Sequence, residues 1–176
     1  QDLIDNRCKN YVGTLGTSVS PKLLSAFKEA DLILSIGSRL SDMSTNSFKL
    51  FNKSSEKTKL IQIYPNFKEI EKVFNAELYI ETDINYFANK IFKFDWFNGE
   101  KWGNWLKRLR KEYIDDILIK EDYNNHSLAT ICSKINRYIN DETIITLDAG
   151  NHTGWPQRYI QYSSKCMQIG STCGSM

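Results

Sequence analysis

Asp31-Leu32-Ile33-Leu34-Ser35-Ile36-Gly37 decides the fold class of this chain. The run is short, rich in Ile and Leu, and closed by a glycine, which predicts a buried parallel strand. Lys59-Leu60-Ile61-Gln62-Ile63-Tyr64-Pro65 repeats the pattern with Pro as the terminator, and Leu78–Glu81 predicts a shorter third strand. Helical patterns lie around these runs: Pro21–Ala30 with Pro in its first turn, Thr45–Asn52, Phe67–Phe74 and Ile84–Phe92. Strand and helix alternate, so the expected class is α/β, a three-layer αβα arrangement with a parallel sheet between helices.

Residues 96–125 read differently. Trp102, Trp105, Leu106, Leu109, Tyr113 and Ile117 recur at helical spacing, with Lys107, Arg108, Arg110 and Lys111 on the other side. The pattern predicts an amphipathic linker helix with a solvated basic face, its tryptophans packing between domains. Asn124-Asn125 offers a break. A second, truncated α/β unit follows, with a helix over Ser127–Ile139 whose apolar face is Leu128, Ile131, Cys132, Ile135 and Tyr138, then a strand over Thr143–Leu147 and a helix over Gly154–Tyr162. The expected organisation is therefore a central domain over 1–95, a linker over 96–125 and the start of a further domain over 126–176.

Composition narrows the function classes. The chain has 176 residues, 41% hydrophobic and 25% charged, near the globular average, which argues against disorder or a fibrous fold. Its net charge of +2, from 23 basic and 21 acidic residues, predicts neither a nucleic-acid nor an anionic-membrane partner. No apolar run approaches the roughly 20 residues of a membrane span, and no signal peptide is visible. Cys8, Cys132, Cys166 and Cys173 lie far apart with no CxxC pair and no His at ligand spacing, so a zinc site is not expected. Reduced thiols and a cytoplasmic location are the expectation.

Asp148-Ala149-Gly150-Asn151-His152 is the exit of the last predicted strand, and ligands of open α/β sheets bind beyond the carboxyl ends of strands. Gly150 would let the backbone pass close to a ligand, and Asn151 and His152 could donate to phosphate oxygens. An ordinary turn with an N-capping Asn is the bland alternative. Gly170-Ser171-Thr172-Cys173-Gly174-Ser175-Met176 adds a second polar, backbone-exposing loop, after which the sequence stops inside the loop. Because it also begins at Gln1, the chain reads as an internal piece of a longer polypeptide. Cys173 in that loop reads as a small packing residue, since no base adjoins it.

Five stretches in order, Gly13–Thr17, Glu29–Asp42, Leu60–Ile63, Asp148–His152 and Gly170–Met176, resemble the thiamine diphosphate-dependent enzymes of the acetolactate synthase type. The resemblance spans nearly the whole chain and implies that family's nucleotide-binding-like central domain, its linker and the opening of its pyrophosphate-binding domain. It implies that Ala149, Gly150, Asn151 and His152 contact the cofactor diphosphate, and that Gly174 and Met176 hold its aminopyrimidine. Met176 would be the catalytic support, a bulky side chain that wedges the cofactor into a bent form; core packing is the alternative for it. The implied reaction is decarboxylation of a 2-oxo acid such as pyruvate and transfer of the enamine to an acceptor carbonyl, in a homodimer or homotetramer.

The same resemblance places the activating Glu on a domain before Gln1 and the Mg²⁺ ligands beyond Met176, so this chain alone is expected to be inactive. The family's central domain often holds FAD or an ADP moiety, and Gly37, Arg39, Asp42 and Tyr64 stand at the matching positions. Met43 departs from the basic residue that commonly follows the Asp, and Tyr64 and Asn66 replace the usual acidic pair. Without carboxylates suited to ribose and adenine, a degenerate, empty site is favoured over bound FAD, although Tyr64 could stack on a base. The alternative function is a non-enzymatic adenine-nucleotide-binding or structural dimerisation module.

Overall fold

A computed structural model describes residues 2–16, 18–50, 58–69, 73–94, 99–119 and 127–170. The chain is α/β, with parallel sheets and helices. It divides into two compact units, one formed by Gln1–Leu23 with Gly103–Met176 and the other by Leu24–Trp102. The N-terminal 23 residues thus fold with the C-terminal part of the sequence.

In the Leu24–Trp102 unit, β1 (Leu32–Ile36), β2 (Lys59–Tyr64) and β3 (Leu78–Glu81) form a parallel sheet in the order β1-β2-β3. Leu34 pairs with Ile61 and Ile36 with Ile63, which in turn pairs with Ile80. The central strand is the buried one: Leu60, Gln62 and Ile63 are all buried, and Ile63 is 0% exposed. The expectation of a buried β1 holds for one face only. Leu32, Leu34 and Ile36 are 49%, 48% and 46% exposed, because β1 is an edge strand paired on one side and this face of it lies open.

α1 (Pro21–Phe27) starts at Ser20, whose hydroxyl accepts from the Leu23 amide, with Pro21 at the first helical position where its missing N–H costs nothing. It ends three residues before the expected Ala30, in a run of i→i−3 turns. α2 (Ile84–Ile91) is capped by Asp83, which accepts from the Tyr86 amide at 2.9 Å. The described parts of two expected helices, Thr45–Asn52 and Phe67–Phe74, take other forms, residues 51 and 52 of the first lying outside the described residues. Thr45 to Leu50 is a series of turns in which Asn46, Ser47 and Phe48 sit at positive φ, a conformation no α-helix tolerates. Asp42 and Ser41 attract these amides to their own carbonyls and start the turns. Of the expected Phe67–Phe74 helix, Phe67–Glu69 forms a 3-10 turn, where Asn66 Oδ1 accepts from the Lys68 amide and Glu81 from the Phe67 amide, and residues 70–72 lie outside the described residues.

The other unit is built on α3 (Gly103–Ile117), α4 (Leu128–Ile135), β4 (Ile144–Leu147), α5 (Gly154–Tyr159) and β5 (Met167–Gly170). β4 and β5 pair in parallel, Ile144 with Met167 and Leu147 with Gly170. α3 buries Leu109, Tyr113 and Ile117 of the predicted apolar stripe but leaves Trp105, and Trp102 in the turn before it, exposed along with Lys107, Arg108 and Lys111. Arg110 departs from the expected solvated face. It is half-buried, and its guanidinium donates to the carbonyls of Asn6, Tyr11 and Arg7 and lies over the Tyr113 ring. Asn6 completes that join from the other side: its backbone N–H donates to the Tyr162 carbonyl and its side-chain oxygen accepts from the Tyr162 amide.

α4 turns inward a different face from the one the pattern suggests. Ala129, Thr130 and Cys132 are buried, while Leu128, Ile131 and Ile135 are 45%, 44% and 40% exposed. Small side chains on the inner face permit close approach to α5, and Cys132 joins a core with Ile160, Tyr162 and Cys166. α5 ends at Tyr159 rather than Tyr162. Ile160 turns extended, and alternation then carries Ile160 and Tyr162 into that core. Among the described residues no helix is long and apolar enough to cross a membrane.

Candidate cofactor site

β4 delivers the chain to Asp148, whose carboxylate accepts from the Ala149 amide at 2.7 Å and so turns the backbone. Gly150 follows at φ 151° and ψ 170°, a region open essentially to glycine alone. A Cβ there would stand 2.8 Å from His152 Nδ1, so the absence of a side chain is what lets the imidazole fold back beside the turn. Asn151–Thr153 forms one 3-10 turn, closed where the Thr153 amide and hydroxyl both donate to the Gly150 carbonyl at 3.1 and 2.9 Å. α5 starts directly after it. No side chain caps either the turn or α5, so the bland alternative of an Asn-capped helix start is not what forms. Gly150, Asn151 and His152 thus share one short exposed turn at the carboxyl end of β4, with an amide and an imidazole facing solvent.

These residues suit an anionic phosphate group. They supply donors without a carboxylate among them, and the glycine leaves the backbone bare on the side where a Cβ would otherwise project. Gly174 and Met176, expected at the aminopyrimidine, lie outside the described residues, as does Cys173. Among the described residues no group of three or more His, Cys, Asp or Glu is arranged to hold a metal ion.

The second set of expected residues gathers at the carboxyl ends of β1 and β2. Gly37 has φ 70° and donates its amide to the Ile63 carbonyl. Arg39 reaches Glu69 at 3.9 Å, Asp42 accepts from the Met43 amide, and the Tyr64 carbonyl accepts from the Thr82 amide. Gln62 is buried and donates to the Ser38 carbonyl at 3.0 Å. The Gln62, Arg39 and Asp42 side chains at these strand ends are thus engaged within the protein, while on β1 the buried Ser35 hydroxyl has no partner among the described residues.

Residues 1–91 match the family model of the thiamine pyrophosphate enzyme central domain. The chain belongs to the thiamine pyrophosphate enzyme family. It is also 32% identical, over an alignment of 168 residues, to a probable acetolactate synthase large subunit of Methanococcus aeolicus. That alignment covers 85% of this chain and 27% of the relative, so the chain spans about a quarter of the length of the curated relative it matches. The chain is acetolactate synthase-like in sequence over most of its length, and the family implies thiamine diphosphate as cofactor.

Sequence reasoning missed the polar ties that hold α5, the helix that follows the Gly150 turn. Arg158 on α5 forms a bidentate pair with Asp116 on α3, with contacts of 2.7, 2.9 and 3.1 Å. Burial works against the charged guanidinium, yet the hydrogen bonds and charge of Asp116 more than offset it and hold the Arg158 pKa above its usual value. Asn136, the C-cap of α4, donates to the Tyr159 carbonyl and accepts from the Gln161 amide. The pairing residues are 42 and 23 to 25 positions apart, and no local pattern announces them. Cys132 and Cys166 are free, and burial pushes both thiols up, away from the reactive range.

Proposed function

We propose that this chain is part of a thiamine diphosphate-dependent carboligase that decarboxylates a 2-oxo acid such as pyruvate and passes the remaining carbon unit to an acceptor carbonyl. The observation that carries this reading is the exposed, glycine-gated turn Gly150–His152 at a strand's carboxyl end, within a chain of this family. When bound, thiamine diphosphate supplies an ionisable carbon nucleophile and an electron sink for decarboxylation. The contribution of this chain is to bind and orient. Asn151 and His152 donate to the diphosphate, Gly150 keeps the approach clear, and Gly174 and Met176 support the aminopyrimidine end.

In this reading the Mg²⁺ ligands and the activating carboxylate come from outside the 176 residues, the working protein is a cytoplasmic homodimer or homotetramer, and the isolated chain is inactive. At Gly37, Arg39, Asp42 and Tyr64 a degenerate, empty site is favoured over bound FAD, since Arg39 faces Glu69 and the usual carboxylate pair that would grip a ribose is replaced by Tyr64 and Asn66. Neither the geometry nor the family match favours the alternative of a non-enzymatic module.

Calorimetric titration with thiamine diphosphate and Mg²⁺ tests the proposal. The 176-residue chain is expected to bind weakly or not at all, and the full-length polypeptide tightly. His152→Ala in the latter removes a hydrogen bond to a charged group, about 1.5–3 kcal/mol, and so raises Kd roughly tenfold or more. An unchanged Kd would remove His152 from the diphosphate site.

A further inference from the structure

α5 follows the Gly150–Thr153 turn without a break, yet none of its six residues is buried. A helix that short has no stability of its own, and its apolar anchorage is slight, with only Tyr159 packed, half-buried, against the Cys132–Ile160–Tyr162–Cys166 core. Polar ties from two other segments add direction to that packing. Asp116 on α3 grips Arg158 through Nε and Nη2, and Asn136 at the C-cap of α4 binds the Tyr159 carbonyl and the Gln161 amide at 2.8 and 2.9 Å. The Asp116–Arg158 pair is partly sheltered, with side chains 18% and 28% exposed, and the forked geometry fixes direction as well as distance. From this pair a column of stacked groups runs back along α5. The guanidinium lies over the Tyr159 ring at 5.5 Å, and Tyr159 stacks on Trp155 at 5.9 Å and 14°. Trp155 is three residues after His152.

We propose that Asp116 and Arg158 are positioning residues for the diphosphate turn: the pair sets the placement of α5 against α3, and through the Tyr159–Trp155 column it sets where Asn151 and His152 point. The proposal deepens the function proposed above and rests on it only for the identity of the ligand. Neither side chain belongs to the turn itself. The linker helix thereby acts on the cofactor site as well as joining two segments.

The test uses amide and His152 ring NMR signals of the 176-residue chain together with thiamine diphosphate affinity of the full-length polypeptide. Asp116→Asn and Arg158→Gln are expected to shift the Gly150–Thr153 amides and the His152 ring while leaving the amides of Cys132 and Leu109 in place. The charge swap Asp116→Arg with Arg158→Asp is expected to restore them. In the full-length polypeptide each single variant raises Kd about tenfold, and the swap recovers most of that loss. Arg158→Lys, which keeps the charge and loses the fork, serves where a neutral variant fails to fold, and it too is expected to move the turn.

Turn signals that stay at their wild-type positions in every folded variant would overturn the proposal. So would shifts spread evenly through the core, the mark of a merely structural pair. Failure of wild-type full-length protein to bind thiamine diphosphate would sink the proposed function instead, with the turn signals still judging the pair.

Discussion

The exits of β1 and β4 begin alike and diverge within three residues. Each leaves a parallel strand through a glycine at positive φ, 70° at Gly37 and 151° at Gly150. After Gly37 the polar groups turn on one another: Gln62 binds the Ser38 carbonyl, the Ser38 hydroxyl accepts from the Leu40 amide, Asp42 closes the turns at Met43 and Ser47, and Arg39 faces Glu69. After Gly150 the chain makes one tight turn and leaves Asn151 and His152 toward solvent. A glycine at a strand exit therefore does not mark a ligand site by itself. What separates the two exits is whether the side chains that follow already have partners within the protein.

Alanine at the two glycines breaks that comparison most directly. At Gly150 the φ and ψ lie where only glycine is at ease, and the new Cβ would displace the His152 ring, so Gly150→Ala should cost about 2 kcal/mol. Thiamine diphosphate affinity of the full-length polypeptide should fall at least tenfold, because the ring that moves is the proposed donor. At Gly37 the left-handed conformation costs about 1 kcal/mol, and the nearest atom, Ile84 Cγ1 at 3.6 Å, is in ordinary contact. Urea denaturation and calorimetry on the pair check both expectations. Equal effects of the two substitutions on binding would mean that the exits are not different in kind.

Gln62→Leu probes the closed exit. The amide is buried and its Nε2 holds the Ser38 carbonyl at 3.0 Å, so an apolar replacement leaves that acceptor unmet at a cost of about 1–2 kcal/mol. The expected outcome is a lower urea midpoint with an unchanged slope and no change at the Gly150 turn. A stabilised variant would show that Ser38 finds water readily and that the exit is less closed than its hydrogen bonds imply.

Much of this contrast was legible in the sequence, and the rest was not for identifiable reasons. The strand runs and the glycine exit at Gly150 are marked by residues close together in sequence, and the pattern found them. Thr45–Leu50 failed because its spacing is helical while its backbone amides prefer the Ser41 and Asp42 carbonyls in left-handed turns. On α4 the largest side chains suggested the inner face, but the small ones, Ala129 and Cys132, are what permit close packing. Arg110 was read as solvated because charge usually is, whereas three carbonyls of residues 6, 7 and 11 await it about a hundred positions away. The site followed the same rule. Its turn was visible, and the ties that Asp116 and Asn136 make to α5 were not.

Arg39→Ala carries the smallest expected effect and sharpens the comparison at its weakest contact. Arg39 lies 3.9 Å from Glu69, at the limit of an ion pair, and its side chain is 61% exposed, so water and salt screen the attraction and two long side chains must be ordered to keep it. Removing it should change stability by no more than about 0.5 kcal/mol, within the range of exposed pairs. The difference between wild type and variant should vanish in 1 M NaCl, where the screening length falls to about 3 Å. Titration with an adenine nucleotide separates two meanings of that small number. If Arg39 merely faces Glu69 in a closed exit, neither protein binds the nucleotide. If wild type binds and Arg39→Ala does not, Glu69 holds the cation in waiting for a phosphate, and the β1 exit is a ligand site in its own right.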